Sequence, residues 1–324
     1  MADLTILAIA DPVAPYLAPL RDLPSNFRVL AGNEAQFIER WAPEADVLVV
    51  AGGQHGAFQT AFRLAKKVQW VHSLWAGVEP LLIPELLESA IPFTNGRGIF
   101  SGGLAEFVIA AMLFFSKDLR RMLRNQAQGR WVPFEVEVLE GAVLGIIGYG
   151  ETGRACAKLA RTFGMRVVAT RRRAELSSSD PYLDALYSSD RLLDLIRMSD
   201  YLLITAPLTA ATRGLIGETE LRAMKKNAVL INVGRGPIVV ESALVAALKE
   251  QRIRGAALDV FEQEPLPAGH PLYALENVLL SPHCADLTLN SGSRLSASRF
   301  FVENLGRFVK GEPLANVVDK AAGY

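Results

Sequence analysis

One stretch constrains the chain more than any other: Val143-Leu144-Gly145-Ile146-Ile147-Gly148-Tyr149-Gly150-Glu151-Thr152-Gly153. Its first five residues are apolar or β-branched around a single glycine, the pattern of a strand buried on both faces. The run then breaks into Gly148-x-Gly150-x-x-Gly153. The first glycine permits a tight turn, the second lets backbone approach a pyrophosphate with no Cβ in the way, and the third lets the next helix pack close to the strand. A helix from about Thr152 to Phe163 aims its unpaired N–H groups and the positive end of its dipole at whatever lies over the glycines. Glycine-rich turns also arise for purely steric reasons. The strand before and the helix after favour a dinucleotide site built on Gly148, Tyr149, Gly150, Glu151, Thr152 and Gly153.

Around this stretch the chain has 324 residues, half of them apolar, which is ample for two packed domains. Lysine plus arginine balances aspartate plus glutamate at 34 each, so no net field recruits nucleic acid or an anionic membrane. Met-Ala-Asp-Leu-Thr-Ile-Leu-Ala-Ile-Ala carries no basic leader, and Asp11-Pro12 ends its apolar run far short of a bilayer span. It reads as a first strand. Two cysteines, Cys156 and Cys284, cannot form a disulfide framework, so a reducing cytoplasm is expected. His55, His72 and His270 have no acidic or thiol partners at ligand spacing, and no metal site is expected.

Up to about residue 95, short apolar runs alternate with helical stretches, the rhythm of a parallel sheet covered by helices. The strand candidates are Leu4–Ala8, Phe27–Leu30, Val47–Val50, Trp70–His72 and Ile91–Thr94, none followed by a full glycine fingerprint. This half reads as a lid or substrate domain. Within it, Ala76 and Gly77 after Trp75 can expose backbone N–H groups to a carboxylate, or simply turn the chain into a helix. Asn95-Gly96-Arg97-Gly98 marks a domain boundary. Apolar residues at helical spacing from Leu104 to about Gln126 predict one long helix bridging the domains. Lys117, Arg120, Arg121 and Arg124 near its end read as a solvated face suited to the negative end of its dipole.

The second strand of the cofactor half, Arg166–Thr170, runs into Arg171-Arg172-Arg173. An acid near this point would accept from the ribose 2′-hydroxyl of NAD; none stands there. A guanidinium matches a 2′-phosphate in charge and in its forked geometry, so Arg171 and Arg172 favour NADPH over NADH, the alternative being a solvated basic loop indifferent to either. A polar loop, Ser178-Ser179-Asp180-Pro181, and a short helix, Arg191–Met198, follow. Strand Tyr201–Thr205 ends at Ala206-Pro207, where proline stops pairing and aims backbone at the cofactor. Strands Ala228–Val233, Gly255–Asp259 and Val278–Ser281 alternate with helices Glu218–Met224 and Ser242–Glu250. The last helix, Ser293 to Lys310, turns Leu295, Phe301, Leu305 and Phe308 to a core and returns the chain to the first domain.

Arg235, Glu264 and His283 each fall just past the carboxyl end of an expected strand, the edge where open parallel sheets hold ligands. Arg235 suits a substrate carboxylate, His283 suits proton transfer to an oxygen as hydride reaches carbon, and Glu264 suits the other imidazole nitrogen. Each residue alone has a bland explanation; their joint placement gives the reading its weight.

Four segments carry a resemblance that spans nearly the whole chain: Gly145-Ile-Ile-Gly-Tyr-Gly-Glu-Thr-Gly153, Ile231-Asn-Val-Gly-Arg-Gly236, Gly255-Ala-Ala-Leu-Asp-Val-Phe-Glu-Gln-Glu-Pro-Leu266 and Ser281-Pro-His283. In their order and spacing the chain resembles the D-isomer-specific 2-hydroxyacid dehydrogenases. The resemblance implies two doubly wound α/β parallel-sheet domains: a central Rossmann dinucleotide-binding domain, residues 98–285, and a discontinuous flavodoxin-like substrate domain, residues 1–97 and 286–324. It makes Arg235, Glu264 and His283 the catalytic residues and gives the nicotinamide end to Asp259, the Thr205-Ala206-Pro207 backbone, Val233 and Gly234. It assigns substrate binding to Trp75, Ala76, Gly77, Arg235 and His283, and implies a homodimer built mainly through the cofactor domain. The expected activity is reduction of a small 2-keto acid, with glyoxylate and hydroxypyruvate foremost. A nucleotide-sensing protein akin to the C-terminal binding corepressors, or a dehydrogenase of formate or phosphite, stays open. The chain departs from the family pattern at Cys284-Ala285-Asp286, at Val240 where many members have aspartate, and at Trp75 where glycine is frequent. Trp75 reads as a wall limiting the substrate side chain or as packing; Cys284 reads as a packed thiol.

Overall fold

The computed structural model describes residues 4–173, 175, 177, 179–288 and 292–324, which leaves Ser178 of the expected polar loop outside the described residues. The chain forms two compact units, residues 1–100 with 287–324 and residues 101–286.

The first unit holds five strands: β1 (Leu4–Ile9), β2 (Phe27–Gly32), β3 (Val47–Val50), β4 (Trp70–Ser73) and β5 (Phe93–Asn95). They are parallel in the order β2-β1-β3-β4-β5, a flavodoxin-like winding with strands added to either side of β1 and β3. Val47, Leu48, Val49 and Val50 are all buried, as a central strand covered by helices on both faces requires. The chain returns through helix Gly292–Lys310, whose Phe301 and Phe308 stack on Trp70 at 5.1 and 5.4 Å. Phe301 and Leu305 are buried as expected, while Leu295 and Phe308 are half-buried. The segment beyond this helix joins the open edge of β5, with the Val318 N–H donating to the Phe93 carbonyl at 2.7 Å. His72 is wholly buried on β4, its Nδ1 2.7 Å from Thr94 Oγ1; burial pushes its pKa down to about 3, so the ring is neutral.

The second unit holds seven parallel strands: β6 (Val143–Ile147), β7 (Arg166–Thr170), β8 (Ala185–Tyr187), β9 (Tyr201–Ile204), β10 (Val229–Asn232), β11 (Gly255–Leu258) and β12 (Val278–Leu280). Their order is β12-β11-β10-β9-β6-β7-β8, the doubly wound Rossmann arrangement, in which winding reverses between β6 and β9. Separate apolar clusters cover its two faces. Gly145 in mid-β6 is needed for packing, since a Cβ there would lie 2.0 Å from Ser199 Oγ. The edge strand β8 is three half-buried residues and was not among the expected strands.

The single long helix expected over Leu104 to Gln126 is two, Ser101–Ser116 and Leu119–Ala127, and both lie in the second unit. Asp118 separates them with φ 48°, and its carboxylate caps the second helix by accepting from the Arg121 N–H at 3.3 Å. The basic residues here are only partly a solvated face. Arg120 donates to the Leu275 and Val278 carbonyls at 3.2 and 3.1 Å, and Lys117 to the Glu137 carbonyl at 2.6 Å. Among the described residues no helix is long and apolar enough to cross a membrane, and no cluster of three or more His, Cys, Asp or Glu side chains is arranged to hold a metal.

Candidate active site

The carboxyl ends of β6, β9, β10, β11 and β12 share one edge of the second unit's sheet, because every strand in it is parallel. At that edge the glycine turn hangs from its neighbour strand: the N–H groups of Gly148 and Tyr149 both donate to the Thr170 carbonyl, at 3.1 and 3.0 Å. Gly148 adopts φ 93°, and a Cβ there would lie 2.5 Å from Ala206 backbone. A Cβ on Gly153 would press on the Gly148 carbonyl at 3.0 Å. A Cβ on Gly150 would meet nothing within 4 Å, so the middle glycine faces open space, where an approaching phosphate needs bare backbone.

Helix Glu151–Thr162 begins there. Its Arg154 N–H bonds to the Gly150 carbonyl at 2.9 Å, and the N–H groups of Glu151, Thr152 and Gly153, ahead of that bond, point out of the helix end. These residues fit a dinucleotide pyrophosphate. Tyr149 contributes differently, with its ring buried and its N–H spent on Thr170. Burial, then the Asp180 carboxylate, holds its phenol above the ordinary range. Arg171 follows the carbonyl that carries the turn; its guanidinium donates to Ser177 Oγ, and the Arg172 side chain is exposed.

The ends of β9 and β10 are stitched to this turn. Thr205 donates through its N–H to the Ile147 carbonyl at 2.9 Å and through its hydroxyl to the Gly148 carbonyl at 2.7 Å. Val233 donates to Ile204 at 3.2 Å, and Gly234 lies so close to Ala206 that a Cβ would stand 2.9 Å from its carbonyl oxygen. Buried Asn232 clamps the next bend: Oδ1 accepts from the Gly234 N–H and Nδ2 donates to the Arg235 carbonyl, both at 3.1 Å. Arg235 donates from Nη1 to the Gly234 carbonyl at 2.7 Å.

Glu264 and His283 meet at 2.6 Å, Oε2 to Nδ1. The other carboxylate oxygen of Glu264 accepts from the Phe261 N–H at 2.9 Å. Burial works to raise Glu264, but the bonds from His283 and Phe261 and the nearby charges of His283 and Arg235 outweigh it, leaving the carboxyl below the ordinary glutamate range. The bond to Glu264 raises the His283 pKa; burial opposes this, the Glu264 and Asp259 charges add to it, and Arg235 subtracts. With Nδ1 given to Glu264, Nε2 is the nitrogen left for a ligand.

Asp259 is nearly fully buried, and Oδ1 accepts from Ser281 Oγ at 2.6 Å and from the N–H groups of Cys284 and Ala285 at 3.0 and 3.1 Å. Its backbone carbonyl takes the His283 N–H at 3.0 Å. Burial nevertheless raises the Asp259 pKa. This clasp around His283, with Ser281 as its polar side-chain partner, and the separate clamp by Asn232 were not singled out from sequence, although both residues lie inside the quoted motifs.

Arg235, Asp259, Glu264 and His283 are thus brought together in the second unit. Trp75, Ala76 and Gly77 belong to the first. There the Trp75 ring lies against Gly52, where a Cβ would be 1.4 Å from Nε1, with Phe100 at 5.7 Å, Tyr16 at 6.2 Å and the Arg294 guanidinium at 5.4 Å. The loop is shaped through its carbonyls, Trp75 O accepting from the Gly96 N–H at 3.0 Å and Ala76 O from Asn95 Nδ2 at 2.7 Å. Cys156 is buried and Cys284 exposed, which corrects the expectation of a packed thiol at Cys284.

A family model described as the NAD binding domain of D-isomer specific 2-hydroxyacid dehydrogenases matches residues 109–285. The chain is 38% identical over 268 residues to a glyoxylate reductase of Aeropyrum pernix, spanning 79% of this chain and 78% of that one. It is similar to the crystal structure of a D-isomer specific 2-hydroxyacid dehydrogenase from Xanthobacter autotrophicus Py2 in complex with NADPH and MES, with TM-score 0.83, 29% identity and 100% of each chain covered. It is also similar to an NADPH-dependent glyoxylate/hydroxypyruvate reductase of Sinorhizobium meliloti in complex with NADP and sulfate, with TM-score 0.85, 25% identity and coverage of 99% of this chain and 100% of that one.

Proposed function

The chain belongs to the D-isomer-specific 2-hydroxyacid dehydrogenase family, and from that premise we propose that it is an NADPH-preferring reductase of small 2-keto acids, glyoxylate and hydroxypyruvate foremost. The observation that carries this reading is the 2.6 Å pair of His283 and Glu264, within the electrostatic reach of Arg235 at the carboxyl edge of the sheet.

When bound, a reduced nicotinamide supplies the hydride. Arg235 pairs with the substrate carboxylate and polarises the adjacent carbonyl. His283, protonated at Nε2, gives that proton to the carbonyl oxygen as the carbon is reduced, and takes it back in the reverse direction. Glu264 remains ionised, fixes the ring through Nδ1 and stabilises the imidazolium. Asp259, with the Thr205–Pro207 backbone, Val233 and Gly234, borders the nicotinamide end. The helix N-terminus at Glu151 holds the pyrophosphate, and Arg171 and Arg172 hold the 2′-phosphate. The NADPH and NADP in the Xanthobacter and Sinorhizobium structures support this cofactor choice.

In this reading the second unit is the dinucleotide-binding domain. The first is the substrate domain, with Trp75-Ala76-Gly77 as its substrate-binding loop. The protein works in the cytoplasm as a homodimer built mainly through the cofactor domain, where Trp131 is exposed. A panel of 2-keto acids assayed with NADPH and with NADH tests the activity. Oxidation of NADPH in preference to NADH by glyoxylate or hydroxypyruvate is expected, and no oxidation with any acid sinks the proposal.

A further inference from the structure

A second histidine–carboxylate pair lies on the segment that carries Glu264. His270 Nε2 is 3.1 Å from Glu241 Oε1, and both side chains are largely buried. Nδ1 of His270 accepts from the Leu272 N–H at 3.4 Å, which leaves Nε2 as the nitrogen that donates to Glu241. The other oxygen of Glu241 accepts from the Glu262 N–H at 3.3 Å. Glu241 opens helix Glu241–Lys249, so one carboxylate on a rigid element grips the segment on both sides of Glu264, at 262 and at 270. The near end is also seated on bare backbone, since a Cβ on Gly236 would lie 1.9 Å from the Phe261 carbonyl carbon. Glu264 needs such support because its own anchors, the Phe261 N–H and His283, leave the rest of the segment from 265 to 270 without helix or strand.

We propose that Glu241 and His270 are positioning residues that hold Glu264 at hydrogen-bonding distance from His283. The inference rests on the reading of His283 as the acid of keto acid reduction. Glu241 in the first turn also complements the helix dipole, a role that would touch stability alone. The charged groups facing His283 are Glu264, Asp259 and Arg235, and the brace acts through the first of them. Misplacing a reacting group by about 1 Å costs up to ~100-fold in rate.

The experiment compares wild type, Glu241→Ala, His270→Leu, His270→Gln and Glu264→Gln in three readouts: the pH profile of kcat/KM for glyoxylate reduction, the Kd for NADPH, and Tm. Glu241→Ala and His270→Leu should lose about 10- to 100-fold in kcat/KM, mostly in kcat. Their alkaline limb should move to lower pH as in Glu264→Gln, with the Kd for NADPH unchanged. His270→Gln, which keeps a donor toward Glu241, should recover most of the rate. If Glu264→Gln moves the limb and Glu241→Ala does not, or if Glu241→Ala lowers only Tm, the brace is overturned. An unmoved limb in Glu264→Gln overturns the underlying assignment of His283 instead.

Discussion

His283 has φ 52°, a left-handed conformation that costs a residue with a Cβ on the order of 1 kcal/mol or more. The clasp by Asp259 holds it there: the carboxylate takes the two N–H groups that follow, and the backbone carbonyl takes that of His283 itself. The bend places the imidazole on Glu264 rather than along the exit of β12. Replacing His283 with Ala should lower turnover on the order of 100- to 10,000-fold while the Kd for NADPH stays within a factor of two or so. Cofactor affinity lost in parallel would make it a structural histidine. Because Glu264 raises its pKa, His283 holds its proton to higher pH than free imidazole. The kcat/KM for reduction should therefore be flat at low pH and fall as pH rises through the folded value, and oxidation of the hydroxy acid should show the opposite slope. By the same sign, the pair's contribution to folding is complete below the unfolded histidine pKa and is lost as pH rises through the folded one.

At the scale of elements, the proposed preference for NADPH rests on the residues that follow β7. Neutralising Arg171 and Arg172 together should weaken NADPH about 10-fold or more and leave NADH nearly unchanged, as read by fluorescence titration of each; an unaltered preference would place the 2′-phosphate elsewhere. The strands that carry the site were legible in the chain because each is buried on both faces and so reads as a continuous apolar run. The short edge strand β8 was not, since its residues Ala185–Tyr187 are only half-buried and pair on one side. The break at Asp118 was equally hidden: apolar spacing continues across it, and no glycine or proline announces the left-handed residue. Arg235, Glu264 and His283 were legible as strand-end residues, whereas Glu241 and His270, 29 residues apart, carry no local pattern that joins them.

On the scale of the whole molecule, the second unit leaves several large apolar side chains exposed. Between Ala127 and Val143 the chain forms no helix or strand; Trp131 is 96% exposed, Val138 63%, and Leu123 on the preceding helix 62%. Large apolar side chains left in water are costly, and tryptophan is enriched where proteins associate. Sedimentation at micromolar concentration should give a dimer for the wild type and a shift toward monomer for Trp131→Glu; a monomeric wild type would refute the homodimer. The chain alone determined its two parallel sheets, the glycine turn and the strand ends that carry Arg235, Glu264 and His283, because strand periodicity and glycine spacing are local properties of consecutive residues. Only the tertiary structure decided the 2.6 Å approach of Glu264 to His283, the Asp259 clasp and the Glu241–His270 brace. Those contacts depend on how parallel strands bring segments distant in sequence to one edge, and on the burial that sets the charge of each group once it is there.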